Sequence, residues 1–163
     1  MVTIAMTRPQ VIDLLSTIPD PEIPVVNISE MGMLRDVIIS EAGCEVILTP
    51  TYTGCPAMGQ IEDDILTLLK REHIAPAKVT TVLDPAWTTD WMSDEAREKL
   101  RKYGIAPPVH SSCNHGCFTS NDIRCPHCNS IQTSMVSRFG STACKSLYKC
   151  SSCLEPFEYF KCH

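Results

Sequence analysis

Cys44-Glu45-Val46-Ile47-Leu48-Thr49-Pro50-Thr51-Tyr52-Thr53-Gly54-Cys55-Pro56-Ala57 decides how the body of this chain folds. Cys44, Val46 and Leu48 alternate with Glu45, Ile47 and Thr49, the period-two pattern of a strand. Pro56 stands where a helix can begin, because its missing N–H would be unpaired there anyway. Met58, Ile61, Ile65, Leu68 and Leu69 then lay one apolar stripe along that helix. Upstream, residues 34–39 pair as a hairpin with 44–49 across the turn Glu41-Ala42-Gly43. Downstream, residues 79–83 read as a third strand, and strand–helix–strand order predicts a crossover onto the same sheet.

Two further helices flank this unit. Thr7 caps a first helix with Val11, Leu14, Leu15 and Ile18 on one side, stopped before Pro19, Pro21 and Pro24. Ser93 caps a third, with Asp94 and Glu95 in its first turn, basic residues late and Gly104 as its stop. Both tryptophans lie in the loop Asp84-Pro85-Ala86-Trp87-Thr88-Thr89-Asp90-Trp91 and read as a lid on the core.

Past Pro107-Pro108 the chain changes character. Cys125-Pro126-His127-Cys128 and Cys150-Ser151-Ser152-Cys153 are two Cys-x-x-Cys turns separated by 21 residues. Two thiolates three positions apart can reach one metal, and a second such turn completes a four-sulfur shell. Zn²⁺ is the first reading, although four thiolates alone do not distinguish zinc from a single iron or an iron–sulfur centre. Redox dithiols are the competing reading. A module of about 40 residues has little core, so metal would supply much of its folding energy. The expected fold class is α+β: a small mixed-sheet domain with three helices over 1–105, a linker over 106–122, and a four-cysteine zinc ribbon over 123–163.

Composition narrows the function classes. The 163 residues are 44% hydrophobic and 20% charged, the balance of a globular protein. No apolar run reaches the roughly 20 residues that span a bilayer. Ten cysteines without a secretory signal predict a cytoplasmic protein whose thiols bind metal or react instead of cross-linking. Residues 1–119 carry 9 Lys/Arg against 16 Asp/Glu, and residues 120–163 carry 5 against 3. The acidic body argues against a nucleic-acid partner, and the tail has no dense basic cluster. The sequence shows no glycine-rich nucleotide loop, flavin motif or Glu-x-x-His pair for a diiron site.

Cys55 is set apart from the tail cysteines. At a helix N-terminus its thiolate would be stabilised, and Gly54 leaves the backbone open to close approach. A small buried hydrophobe is the alternative. Asp20-Pro21-Glu22-Ile23-Pro24 offers two carboxylates two apart on a stiff segment, which in an extended chain fall on one side. They read as acid/base groups, metal ligands or partner contacts, or as a solvated turn.

Asp20 to Val25, Met31-Gly32-Met33 and Thr51 to Pro56 together resemble the small iron–sulfur-assembly domain shared by SufT-like bacterial proteins and eukaryotic cytosolic iron–sulfur targeting factors. With the 84–92 loop, Phe139 to Lys145 and Phe160-Lys161-Cys162, the whole chain resembles the family of D-type components of bacterial phenylacetyl-CoA epoxidase systems. The resemblance implies that Cys55 handles an iron–sulfur cluster transiently, with Asp20 and Glu22 as its supporting acidic pair. It implies an accessory, non-catalytic role in aerobic phenylacetate degradation, assembling or delivering a metal centre to a partner. The implied partners are the epoxidase's diiron oxygenase or iron–sulfur reductase subunits, and iron–sulfur scaffold proteins. The alternative is a structural or redox subunit with iron at Cys125, Cys128, Cys150 and Cys153. Cys113, Cys117, Cys144, Cys162 and His163 receive no role.

Overall fold

The computed structural model describes residues 6–109 and 123–162, which divide between Trp87 and Thr88 into two compact units. The first unit begins with α1 (Arg8–Leu15). Gln10 Oε1 accepts the Thr7 N–H at 2.8 Å, closing the first turn. The hairpin β1 (Leu34–Ser40) and β2 (Gly43–Leu48) pairs antiparallel, α2 spans Ala57–Arg71, and β3 (Ala77–Thr81) returns parallel to β2. The sheet order is β1-β2-β3, a mixed sheet.

Val11, Leu15, Ile28, Val46, Leu48, Ile61, Ile65 and Leu69 are fully buried and form this unit's core. The α2 stripe holds except at Met58, which stays half-exposed while Ala57 is buried in its place. The third strand starts two residues earlier than the sequence pattern suggests. The reason is its register: Cys44 pairs with Ala77 and Leu48 with Thr81, so β3 ends where its partner ends. The segment after α1 is also not extended. Asp20 N–H donates to Val26 O at 2.9 Å, Pro19 bridges Asn27, and the prolines fold the chain into a tight turn. Trp87 closes this core, donating its indole N–H to Met31 O at 2.8 Å.

The second unit contains α3 (Asp94–Tyr103), β4 (Ile105–Ala106), β5 (Thr133–Ser137), β6 (Lys145–Cys150) and β7 (Pro156–Phe160). Ser93 Oγ accepts Ala96 N–H at 3.0 Å, and Gly104 ends α3 at φ +95°. The sheet order is β4-β7-β6-β5. A division after residue 105 would leave α3 with the first unit and cut β4 between its two residues, but β4 pairs parallel with β7, and α3 and β4 both fall in the second unit. The aromatic residues Phe157, Tyr159 and Phe160 near the end of the chain lie in β7. Its Phe157 and Tyr159 pack with Tyr148, Cys125, Cys150, Ala106 and Ile123. Trp91, at the end of a short 3-10 turn, is half-buried. Most of the expected linker, with Cys113 and Cys117, lies outside the described residues, as does His163.

Candidate functional site

The loop from β2 to α2 places Cys55. Cys55 N–H donates to Tyr52 O at 3.3 Å, and Met58 N–H donates to Cys55 O at the same distance. The residue is therefore locked at the start of α2, with only 9% of its surface exposed. Gly54 takes φ +82°, a left-handed conformation that glycine adopts freely, and no atom lies near the position of a Cβ.

The proline turn places the acidic pair. Asp20 is buried, and its Oδ1 accepts the N–H groups of Glu22 at 2.7 Å and Ile23 at 2.9 Å. Asp20 is thus an Asx-type turn residue whose carboxylate is fixed by backbone donors. Both Asp20 and Glu22 act electrostatically on Cys55. Three residues from two segments are brought together.

Their joint effect reverses the expectation of a stabilised thiolate. Burial pushes the Cys55 thiol up, the Ala57 N–H lowers it, Glu22 raises it, Tyr52 lowers it and Asp20 raises it. The net direction is upward. The start of α2 does contribute a donor, but desolvation and two negative charges outweigh it. The same burial and charges favour the protonated thiol, and the two carboxylates favour an arriving cation over a bare thiolate.

The second cluster is Cys125, Cys128, Cys150 and Cys153. Their four sulfurs all lie within 4.8 Å of one another. Cys125 Sγ is 3.7 Å from Cys153 Sγ, and Cys128 Sγ is 3.6 Å from Cys150 Sγ. A zinc–sulfur bond of about 2.3 Å in a tetrahedron sets sulfurs about 3.8 Å apart, so the donor set fits a four-thiolate metal. Each knuckle turns the same way: Asn129 and Leu154, one after each second cysteine, take φ +63° and +67°. Backbone N–H groups are aimed at sulfur. Those of Cys153 and Ser152, with the Cys128 and Cys153 sulfurs, hold the Cys150 thiol down at about 6 despite burial. The Glu155 N–H works to lower Cys153, but burial and the three other sulfurs leave it pushed up to about 12. Four thiols this close resist joint ionisation, a conflict that a bound cation removes.

Of the remaining cysteines, Cys44 and Cys144 are buried, and the Cys144 sulfur lies 3.0 Å from the Thr142 hydroxyl. Cys162 is disulfide-bonded, which overturns the expectation that none of the cysteines cross-links. No helix among the described residues is long and apolar enough to cross a membrane.

Comparison with known proteins agrees with this two-part layout. Residues 8–83 match the model of the iron–sulfur cluster assembly protein family, and residues 111–161 match that of the PaaD zinc beta ribbon domain. The chain is 51% identical over 149 residues to an Escherichia coli K12 protein whose name makes it the putative D-type component of 1,2-phenylacetyl-CoA epoxidase, covering 91% of this chain and 89% of that one. It is 36% identical over 83 residues to the Fe-S protein maturation auxiliary factor SufT of Staphylococcus aureus USA300, covering 50% of this chain and 93% of that one. A crystal structure of a DUF59 domain from Bacillus anthracis superposes with a TM-score of 0.53 at 29% identity, covering 57% of this chain and 90% of that one. The chain belongs to the family of D-type phenylacetyl-CoA epoxidase components, an iron–sulfur cluster assembly domain followed by a PaaD zinc ribbon.

Proposed function

We propose that this chain is a non-catalytic maturation factor that assembles or delivers an iron or iron–sulfur centre to a subunit of phenylacetyl-CoA epoxidase. The observation that carries the reading is the convergence of Asp20 and Glu22 on the buried Cys55 thiol. Those charges oppose a free thiolate but favour a bound cation. The iron-bearing cargo would therefore exchange for the thiol proton, and the reverse exchange would release it. A site that opposes its own empty ionised state suits transient holding better than permanent storage. The family's kinship with Fe-S protein maturation factors supports the same role.

The four-cysteine tail would hold Zn²⁺ through Cys125, Cys128, Cys150 and Cys153 and would dock the recipient. Bound there, zinc supplies structural cross-linking of the two knuckles. The same sulfur geometry would accept iron, which favours a second reading as a redox or structural subunit of the oxygenase. Visible absorption separates the two, since a zinc tail is colourless and a four-thiolate iron is not.

The test of the maturation role is the iron content of epoxidase subunits isolated from cells that carry Cys55→Ala. Depleted iron with normal subunit abundance supports the proposal. Full iron with normal growth on phenylacetate overturns it.

A further inference from the structure

β5 is an edge strand: it pairs with β6 on one side, and among the described residues nothing pairs with the other. The direction of its backbone groups follows from its neighbours. Ser151 N–H donates to Gln132 O at 2.8 Å, so that pair is a bonded rung of the ladder. Cys150 N–H instead donates to Glu155 O, away from β5. Antiparallel rungs alternate, and Cys150 and Tyr148 face Thr133 and Met135 in the register. The N–H and C=O of Met135 therefore point outward, available to another chain.

The side chains along this edge are apolar and uncovered. Met135 is 51% exposed, Val136 60% and Phe139 65%. Val136 is the extra residue of a bulge, with Met135 opposite Tyr148 and Ser137 opposite Leu147. Phe139 is contacted on one face of its ring. The Lys161 ammonium lies 4.4 Å from its ring centroid and donates to Ala143 O at 2.7 Å. Gly140 N–H is tied to Lys145 O at 2.8 Å. An aromatic side chain has only two rotatable bonds, so it offers a large contact area and loses little freedom on binding.

The charge beside this edge has one sign. Arg138 is exposed between Ser137 and Phe139 and has no carboxylate partner among the described residues. Lys149, exposed, stands opposite Ser134. The nearby carboxylate, Glu158, is already neutralised by Lys145 at 3.0 Å.

We propose that the β5 edge is the docking site for an extended acidic segment of the recipient protein. The segment pairs with the outward backbone of Met135, packs apolar side chains on Val136 and Phe139, and sets a carboxylate against Arg138. This rests on the maturation reading, and it names the surface and the partner chemistry that reading requires.

The test measures binding of the full, metal-loaded chain to purified phenylacetyl-CoA epoxidase lacking its own D-type component. Phe139→Ala and Arg138→Glu, both at exposed positions, should each weaken binding by roughly tenfold or more. Arg138→Glu should also flatten the salt dependence. Hydrogen exchange at the Met135 amide should slow in the complex, which contact through side chains alone would not produce. Native-like affinity in both variants overturns the proposal, as does failure of the native chain to bind. Light scattering that shows a dimer dissociated by Phe139→Ala would assign the edge to a second copy and also overturn it. Cys55→Ala should bind normally while failing to load iron. Normal binding by the edge variants beside failed loading by Cys55→Ala would sink the docking surface and leave maturation standing. Loading independent of Cys55 would sink maturation while the binding data still report on the edge.

Discussion

Lys145, almost fully buried, places its ammonium 3.0 Å from Glu158 across the β6–β7 pair. The same carboxylate accepts the Ser141 N–H, and a Cβ on Gly140 would sit 2.5 Å from it. One ion pair thus ties the turn 139–145 to β7. Burial alone would raise Glu158, but the Ser141 N–H and the Lys145 ammonium hold its carboxyl below the usual glutamate range.

Removing one member of that pair should cost more than removing both. Glu158→Ala leaves a buried ammonium without compensation and should destabilise the second unit by about 3 kcal/mol. Lys145→Met combined with Glu158→Leu should cost clearly less. Gly140→Ala, which forces the carboxylate aside, should cost about 1–3 kcal/mol. Urea unfolding of the metal-loaded variants checks all three. Because the folded carboxyl is depressed, its contribution is present above the unfolded value near 4.5 and fades as pH falls through the folded one.

Metal removal should unfold the tail selectively. Chelation, or Cys128→Ser with one weaker ligand, should abolish amide protection in β5, β6 and β7 while β1, β2 and α2 keep theirs. Hydrogen exchange with metal analysis reads this directly. Protection in β6 that survives full metal loss would show a core sufficient without it.

Cys55 should alkylate slowly at neutral pH. Burial and the acidic pair raise its thiol, so iodoacetamide should react more slowly than with a free cysteine and speed up as pH rises. Glu22→Gln removes one charge that favours the protonated form. The thiol should then shift down and the rate at pH 7 should rise, tenfold for each full unit. An unchanged rate would mean that Glu22 does not act on the thiol.

Leu154 sits at φ +67°, where a side chain with a Cβ is strained by about 1–2 kcal/mol. Leu154→Gly relieves that strain and should raise the stability of the metal-loaded tail by about 1 kcal/mol. Asn129→Gly should do less, since asparagine tolerates this conformation. Thermal denaturation at fixed metal concentration compares the two.

Trp87→Phe keeps most of the buried area but leaves Met31 O without its donor. The expected loss is about 1–3 kcal/mol in the first unit. The test is the denaturation midpoint of that unit, followed by circular dichroism.

The sequence by itself determined the local elements and the four-cysteine cluster. Thr7, Ser93 and Gly104 act through atoms within three or four residues, so their caps are visible in the chain order. The alternation in β2 and the stripe of α2 are likewise set by neighbours two to four residues away. Each Cys-x-x-Cys turn is a local structure too, and its spacing already implies a shared ion. Tertiary structure decided what depends on distance between remote segments. Asp20 and Glu22 act on Cys55 although more than 30 residues separate them in sequence, and the upward direction of that thiol is a sum of burial, donors and charges. Local reading saw the helix start and expected a stabilised thiolate, because desolvation has no signature in a short window. The register of β3, the pairing of β4 with β7 and the outward edge of β5 were set in the same way, by which strands meet and which backbone groups they leave over.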